Sequence, residues 1–207
     1  MDSIKKSVNY KLAITGAFGA LSVILGITRL GMISLSPVVS LTIMHIPVIL
    51  ATLLAGLASG LGVGAIFGIS SLILAATSPT GALDPFFVNP LVSVLPRMLI
   101  AVITWGIDVL LRKIPRTPKI VCGSISAFFG SLSNTIFVIG SLYLLHHAQI
   151  FKAMGNREYF AGLLFIMPNA LLEAAAAVII TAAVLTGIYV VKGKKSKLSQ
   201  EKDVDQN

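Results

Sequence analysis

Apolar sequence in this chain comes in runs long enough to cross a lipid bilayer, and the charges fall mostly in the gaps between those runs. A transmembrane helix needs about 20 mainly apolar residues, at about 1.5 Å of rise each, to span about 30 Å of hydrocarbon. Of the 207 residues, 56% are hydrophobic and only 12% are charged. Soluble domains are about 45–50% apolar and about 25% charged. A water-soluble fold of this size has too little interior for so much apolar surface, so the bilayer is the natural solvent.

Six spans can be drawn, at roughly Leu12–Thr28, Leu41–Gly56, Gly60–Ala76, Leu91–Leu111, Ile120–Leu145 and Phe160–Val191. The expected fold is therefore all-α: a compact bundle of six transmembrane helices within residues 1–191, followed by a charged, solvated cytoplasmic tail at 192–207. The second and third spans are near the lower length limit for crossing. The N-terminal apolar run has no clear small-residue cleavage site, so it reads as a retained span rather than a signal peptide.

Net charge is +8. Nucleic acid is not the implied partner, because the basic residues cluster beside the spans. Twelve of the 16 lie in three groups: Lys5, Lys6 and Lys11; Arg112, Lys113, Arg116 and Lys119; and Lys192, Lys194, Lys195, Lys197 and Lys202. Loops rich in Lys and Arg stay on the cytoplasmic side. Six helices with both termini inside put all three groups there, whereas an odd count strands one basic end outside.

The outer connection Thr77–Pro90 reads TSPTGALDPFFVNP. Its prolines and glycine stop helix formation. Phe86 and Phe87 are too apolar for a fully solvated loop; they either fold over an outer cavity or lie at the membrane interface. The single cysteine, Cys122, excludes an internal disulfide framework.

Polar side chains at depth are expensive and point to function. His45, Arg97, Asn134, Asn169 and Glu173 all fall within the expected spans, the first four in their outer halves. Such a set suits a polar pocket open to the exterior. The alternative is structural: Asn169 and Glu173 share a helix face and can tie helices together, Arg97 can snorkel, and His45 can satisfy backbone groups freed by Pro47. Asn89, at the head of the run that ends in Pro96-Arg97, joins the candidates. A guanidinium in this setting suits a carboxylate or phosphate. Asp108 and Arg112, at i and i+4, read as a surface ion pair.

Small residues form two patterns. Gly60, Gly64 and Gly68 step down one face of the third span, which favours close packing inside the bundle. Ala13 and Ala17, with Gly16 and Ala20 beside them, line a face of the first span that suits either internal packing or a second membrane protein. There is no P-loop, no H-E-x-x-H, no cysteine cluster and no G-x-S-x-G. The His146-His147 pair reads as a solvated helix end rather than a metal site. No catalytic residue, metal site or cofactor is implied.

Five segments carry a resemblance: Ala13-x-x-x-Ala17, HIPVILATLLAG at His45–Gly56, GVGAIFGISSLILA at Gly62–Ala75, DPFFVNPLVSVLPR at Asp84–Arg97 and PNALLEA at Pro168–Ala174. Together they resemble the substrate-binding S components of energy-coupling factor (ECF) vitamin transporters, over nearly the whole length. HIPVILA and NPLVSVLPR are most similar to the pantothenate-type members. The resemblance implies a multi-pass protein of a bacterial cell membrane that captures a vitamin from outside, beneath connections corresponding to Arg29–Ser40 and Thr77–Pro90. It implies docking through Ala13 and Ala17 on a transmembrane coupling subunit, with two separate ATPase subunits using ATP to drive toppling. The competing reading, a stand-alone secondary transporter, needs a coupling-ion site or an internal repeat. No clear duplication is present, and only Glu173 and His45 offer proton chemistry.

Overall fold

The computed structural model of the chain describes residues 7–34, 40–79 and 84–204, with side chains over 7–31, 42–79, 84–146 and 168–191. Lys5, Lys6, parts of both gate connections, and the side chains of His147 and of the C-terminal basic group lie outside what is described.

Helix α1 spans Val8–Ile27. Ser7 starts it, its hydroxyl accepting from the N–H of Tyr10 at 3.3 Å, which satisfies one of the free donors of the first turn. At the far end Arg29 adopts a left-handed φ of 56°, and the N–H of Gly31 reaches back to the carbonyl of Leu25 at 3.1 Å. This closes the helix and leads into a small antiparallel hairpin, β1 (Met32–Ser34) against β2 (Ser40–Thr42).

The hairpin changes the second expected span. Helix α2 covers only Ile46–Ala55, with Pro47 in its first turn, because Ser40–Thr42 are in extended pairing. Ten residues rise about 15 Å, half of a hydrocarbon core. Ile46 through Thr52 are all buried, and a helix that is apolar all round belongs in an interior. α2 is therefore a central plug around which the longer helices pack. At Gly56 the backbone takes φ 94° and ψ 179°, a region open essentially to glycine alone. That one residue turns the chain directly from α2 into α3 (Leu57–Thr77).

After α3 come a 3-10 turn (Asp84–Val88), a short α4 (Pro90–Ser93) and α5 (Leu95–Leu111). The final helix, α6, covers Lys119–Val204, so regular helix extends into the charged segment expected to be a solvated tail. α6 folds back on itself: Gly123 lies against Leu185, and Asn134 shares a cavity with Asn169 and Glu173. Its apolar legs, Lys119–His146 and Pro168–Val191, join α1, α3 and Pro90–Leu111 as five segments long and apolar enough to cross a membrane.

Ile49, Val48, Val63, Ile100, Ala101, Ala127 and Ala177 form the core around α2. Outward, Leu12, Ile24, Ile73, Leu110, Ile136, Leu144 and Ile179 are exposed, the arrangement expected when lipid covers the exterior. Asp108 and Arg112 pair at 2.7 Å, as their spacing implied, although Asp108 is buried rather than on the surface.

The glycine ladder packs internally. A Cβ on Gly64 would lie 2.6 Å from the carbonyl oxygen of Arg97, and one on Gly68 would lie 2.5 Å from the Cα of Val94. α3 thus touches the backbone of α4–α5 with nothing between. Gly68→Val should force these helices apart and lower stability by about 1–3 kcal/mol or more. Gly140, with open space around it, should tolerate alanine. Thermal unfolding of both variants in detergent checks the contrast.

Candidate ligand cavity

Gly26 and Arg29 at the end of α1 meet Ser78 and Asp84 after α3 at one end of the bundle, beside Arg97 in the first turn of α5, whereas the exposed Arg112, Lys113, Arg116 and Lys119 follow the far end of α5. At the first end lies a cavity of about 500 Å³, within the range of small-ligand sites of ~300–1,000 Å³. Every long helix contributes to it: Gly26 from α1, Phe67 and Ser71 from α3, Arg97 from α5, and Asn134 and Glu173 from the two legs of α6.

Arg97 is set by the packing already described. Gly64 contacts its carbonyl, and Pro96 fits the first turn of α5, where a missing N–H costs no hydrogen bond. The residue is only 7% exposed. Its Nη1 donates to the carbonyl oxygen of Val92 at 2.9 Å. The guanidinium carbon lies 5.4 Å from the ring centre of Phe67 and 5.2 Å from that of Phe87, within cation–π range. Nε is buried with no partner, and among the described residues no carboxylate lies within ion-pair distance. Arg97 does not snorkel outward. A desolvated cation without an anion is costly, and an anionic ligand is the natural compensation.

The two legs of α6 bring the amides. Asn134 and Asn169 both line the cavity, and the Oδ1 of each is buried without a hydrogen-bond partner. Glu173 is also at the wall. Its Oε1 accepts from the N–H of Thr42 at 2.7 Å and from Nδ2 of Asn169 at 3.4 Å, so it ties α6 to the hairpin as well as facing the cavity.

Two candidates lie elsewhere. Asn89 is the cap of α4: its Oδ1 accepts from the N–H of Leu91 at 3.0 Å, and it does not line the cavity. The Asn-Pro pair that drew attention in the sequence is a helix start, with Pro90 at the first position. His45 is fully buried at the head of α2, away from the cavity, with neither ring nitrogen hydrogen-bonded. It does not bond the backbone groups near Pro47.

Phe86 and Phe87 turn inward. Phe87 lines the cavity, and Phe86 meets the His146 ring at a centroid distance of 5.0 Å. Both pack on Val92 and Leu142. The hydroxyl of Ser93 donates to the carbonyl of Phe87, which fixes the turn over the cavity. His146 is thereby half-buried, not solvated.

Arg29 and Asp84 also border the cavity and were not singled out as site residues from the sequence. Arg29 entered there only as the first residue of the connection Arg29–Ser40. Its left-handed backbone, unusual for a non-glycine residue, is the local feature that a sequence does not reveal.

On the outside of α1, Ala13, Gly16, Ala17 and Ala20 are exposed, and nothing lies within 4 Å of a Cβ built on Gly16. Among the described residues, nothing packs over this small-residue face at Gly16.

Two comparisons bear on the identity of such a molecule. A family model described as "ECF transporter, substrate-specific component" matches residues 10–185. The pantothenic acid transporter PanT of Lactococcus lactis subsp. cremoris (strain MG1363) is 26% identical over 201 residues, covering 89% of this chain and 96% of that protein. Since the family match takes in the whole cavity and most of the five long apolar segments, the chain belongs to the substrate-specific components of ECF transporters, as a multi-pass protein of the bacterial cell membrane.

Proposed function

We propose that this protein captures pantothenate, or a close carboxylated relative, from the exterior and delivers it inward when a partner module topples it. The family is one of transporter components rather than enzymes, and the name of the Lactococcus relative supports the ligand. The observation that carries the reading is Arg97: a buried cation without a carboxylate partner among the described residues, at the wall of a cavity of ligand size.

Arg97 receives the carboxylate. The unpartnered amide oxygens of Asn134 and Asn169 receive hydroxyl or amide donors, with Glu173 behind Asn169. The cavity end faces outward and both termini face the cytoplasm, because the exposed basic residues of the Arg112–Lys119 loop occupy the opposite end. Ala13 and Ala17 dock on the transmembrane coupling subunit. Two ATPase subunits hydrolyse ATP, which agrees with the absence of a P-loop in this chain.

Calorimetry with the purified protein and pantothenate tests the reading, alongside uptake of labelled pantothenate in cells with and without the partner subunits. Tight binding by the isolated chain and uptake only with the partners are expected. Undetectable binding sinks the ligand assignment, and uptake by the chain alone sinks the partner-driven mechanism. Asn134→Ala should weaken binding by about 1–3 kcal/mol, the cost of stranding a buried donor on the ligand, in the same titration.

A further inference from the structure

The amide of an asparagine can present either its oxygen or its nitrogen, and which one faces a ligand decides what that ligand must carry. For Asn169 the surroundings make the choice. Oε1 of Glu173 accepts from the main-chain N–H of Thr42 at 2.7 Å, and a main-chain N–H can only donate. That oxygen is therefore an acceptor whether or not the carboxyl carries a proton on its other oxygen. The same Oε1 meets Asn169 at 3.4 Å, so Asn169 must turn its Nδ2 toward Glu173. Its Oδ1 is left buried, without a partner, on a residue that lines the cavity.

We infer that Glu173, braced by the Thr42 backbone, is a positioning residue that holds the Asn169 amide with its oxygen available to the ligand, so that the site selects an anion bearing a hydroxyl donor away from its charged group. The inference rests on the functional reading above and deepens it. Arg97 on α5 offers an unpartnered donor for the anionic end. Asn134 and Asn169 on α6 offer unpartnered acceptors, so an anion with only acceptors or methyl groups on that side strands both oxygens. Pantothenate has the required form: a carboxylate at one end, and two hydroxyls beyond its amide.

The test compares two compounds on the full chain in detergent: pantothenate, and N-(3,3-dimethylbutanoyl)-β-alanine, which keeps the carboxylate and amide but lacks both hydroxyls. The wild type should prefer pantothenate by about tenfold or more, the cost of unpaired buried acceptors. Glu173→Met, which frees the Asn169 amide to turn, should shrink that ratio to about threefold or less by the same reasoning. Glu173→Gln keeps an acceptor facing Thr42 and should restore the ratio. A purely structural tie to the hairpin predicts something else: equal loss of affinity for both compounds in Glu173→Met, with the ratio intact. Asn169→Ala removes the oriented oxygen without touching Glu173, and should collapse the ratio even if Glu173→Met does not fold. An unchanged ratio in Glu173→Met or in Asn169→Ala overturns the inference, as does a Glu173→Gln ratio as low as that of the methionine variant. A wild type that binds neither compound overturns the functional reading and the inference with it; binding without discrimination overturns the inference alone.

Discussion

Arg97→Met should weaken pantothenate binding by about 2–5 kcal/mol, thirtyfold or more, the usual cost of truncating one member of a buried, hydrogen-bonded charge pair. In the same variant the ligand-free protein should melt no lower than the wild type. The two halves follow from one fact. Without ligand, Arg97 is a desolvated cation offset only by the carbonyl of Val92 and two aromatic rings. Replacing such a charge with an apolar side chain of similar length is often neutral or stabilising. With ligand, the charge is compensated and becomes the anchor. Arg97→Lys should not restore full affinity, because an ammonium lacks the planar fork that matches a carboxylate. Calorimetry and thermal melting of apo samples read the two effects separately. If the methionine variant binds as tightly as wild type, the carboxylate is not held at Arg97; if its apo form unfolds several degrees lower, the residue serves the fold.

Ala17→Trp, or the same change at Ala13, should abolish uptake while leaving pantothenate affinity close to wild type. These positions are exposed on α1, remote from the cavity, and the space around Gly16 beside them is open. A bulky ring there has nothing to clash with inside the bundle, so folding and binding should survive. Membrane helices associate by close backbone approach at small residues, and a tryptophan holds the partner off. Co-purification with the coupling subunit, uptake and isolated binding are the three readouts. Unimpaired complex formation and uptake would remove this face from the docking surface; a loss of binding would show that it supports the cavity.

Much of this architecture was written in the order of residues. The long apolar runs and the basic clusters between them constrain the chain through solvation alone, which acts locally, so the spans near α1, α3, α5 and the first leg of α6 were found within a few residues. The inward turn at Phe86 and Phe87 was one of two options, and packing on Val92 and Leu142 selected it. Depth along the helices, set by a fixed rise per residue, grouped His45, Arg97, Asn134 and Asn169; the last three line one cavity together with Glu173, and His45 does not.

Depth does not give direction, and that is where the sequence stops. His45 and Asn89 have the right residue types at plausible heights, yet one is enclosed at the head of α2 and the other caps α4. The span drawn at Leu41–Gly56 is a ten-residue plug because its first residues pair in a hairpin, a contact between segments that no local hydropathy encodes. Arg29 enters the cavity wall through a single left-handed residue. Solvent preference is a property of each segment, so the sequence by itself determined that this is a membrane bundle and where the long apolar segments lie, but not that the one at Leu41–Gly56 is too short to cross. Which polar atoms lose water without finding a partner depends on how helices approach one another. Only the tertiary structure could decide that buried polar atoms of Arg97, Asn134 and Asn169 lack a hydrogen-bond partner on residues that line one cavity, while Asn89 is spent on a helix cap.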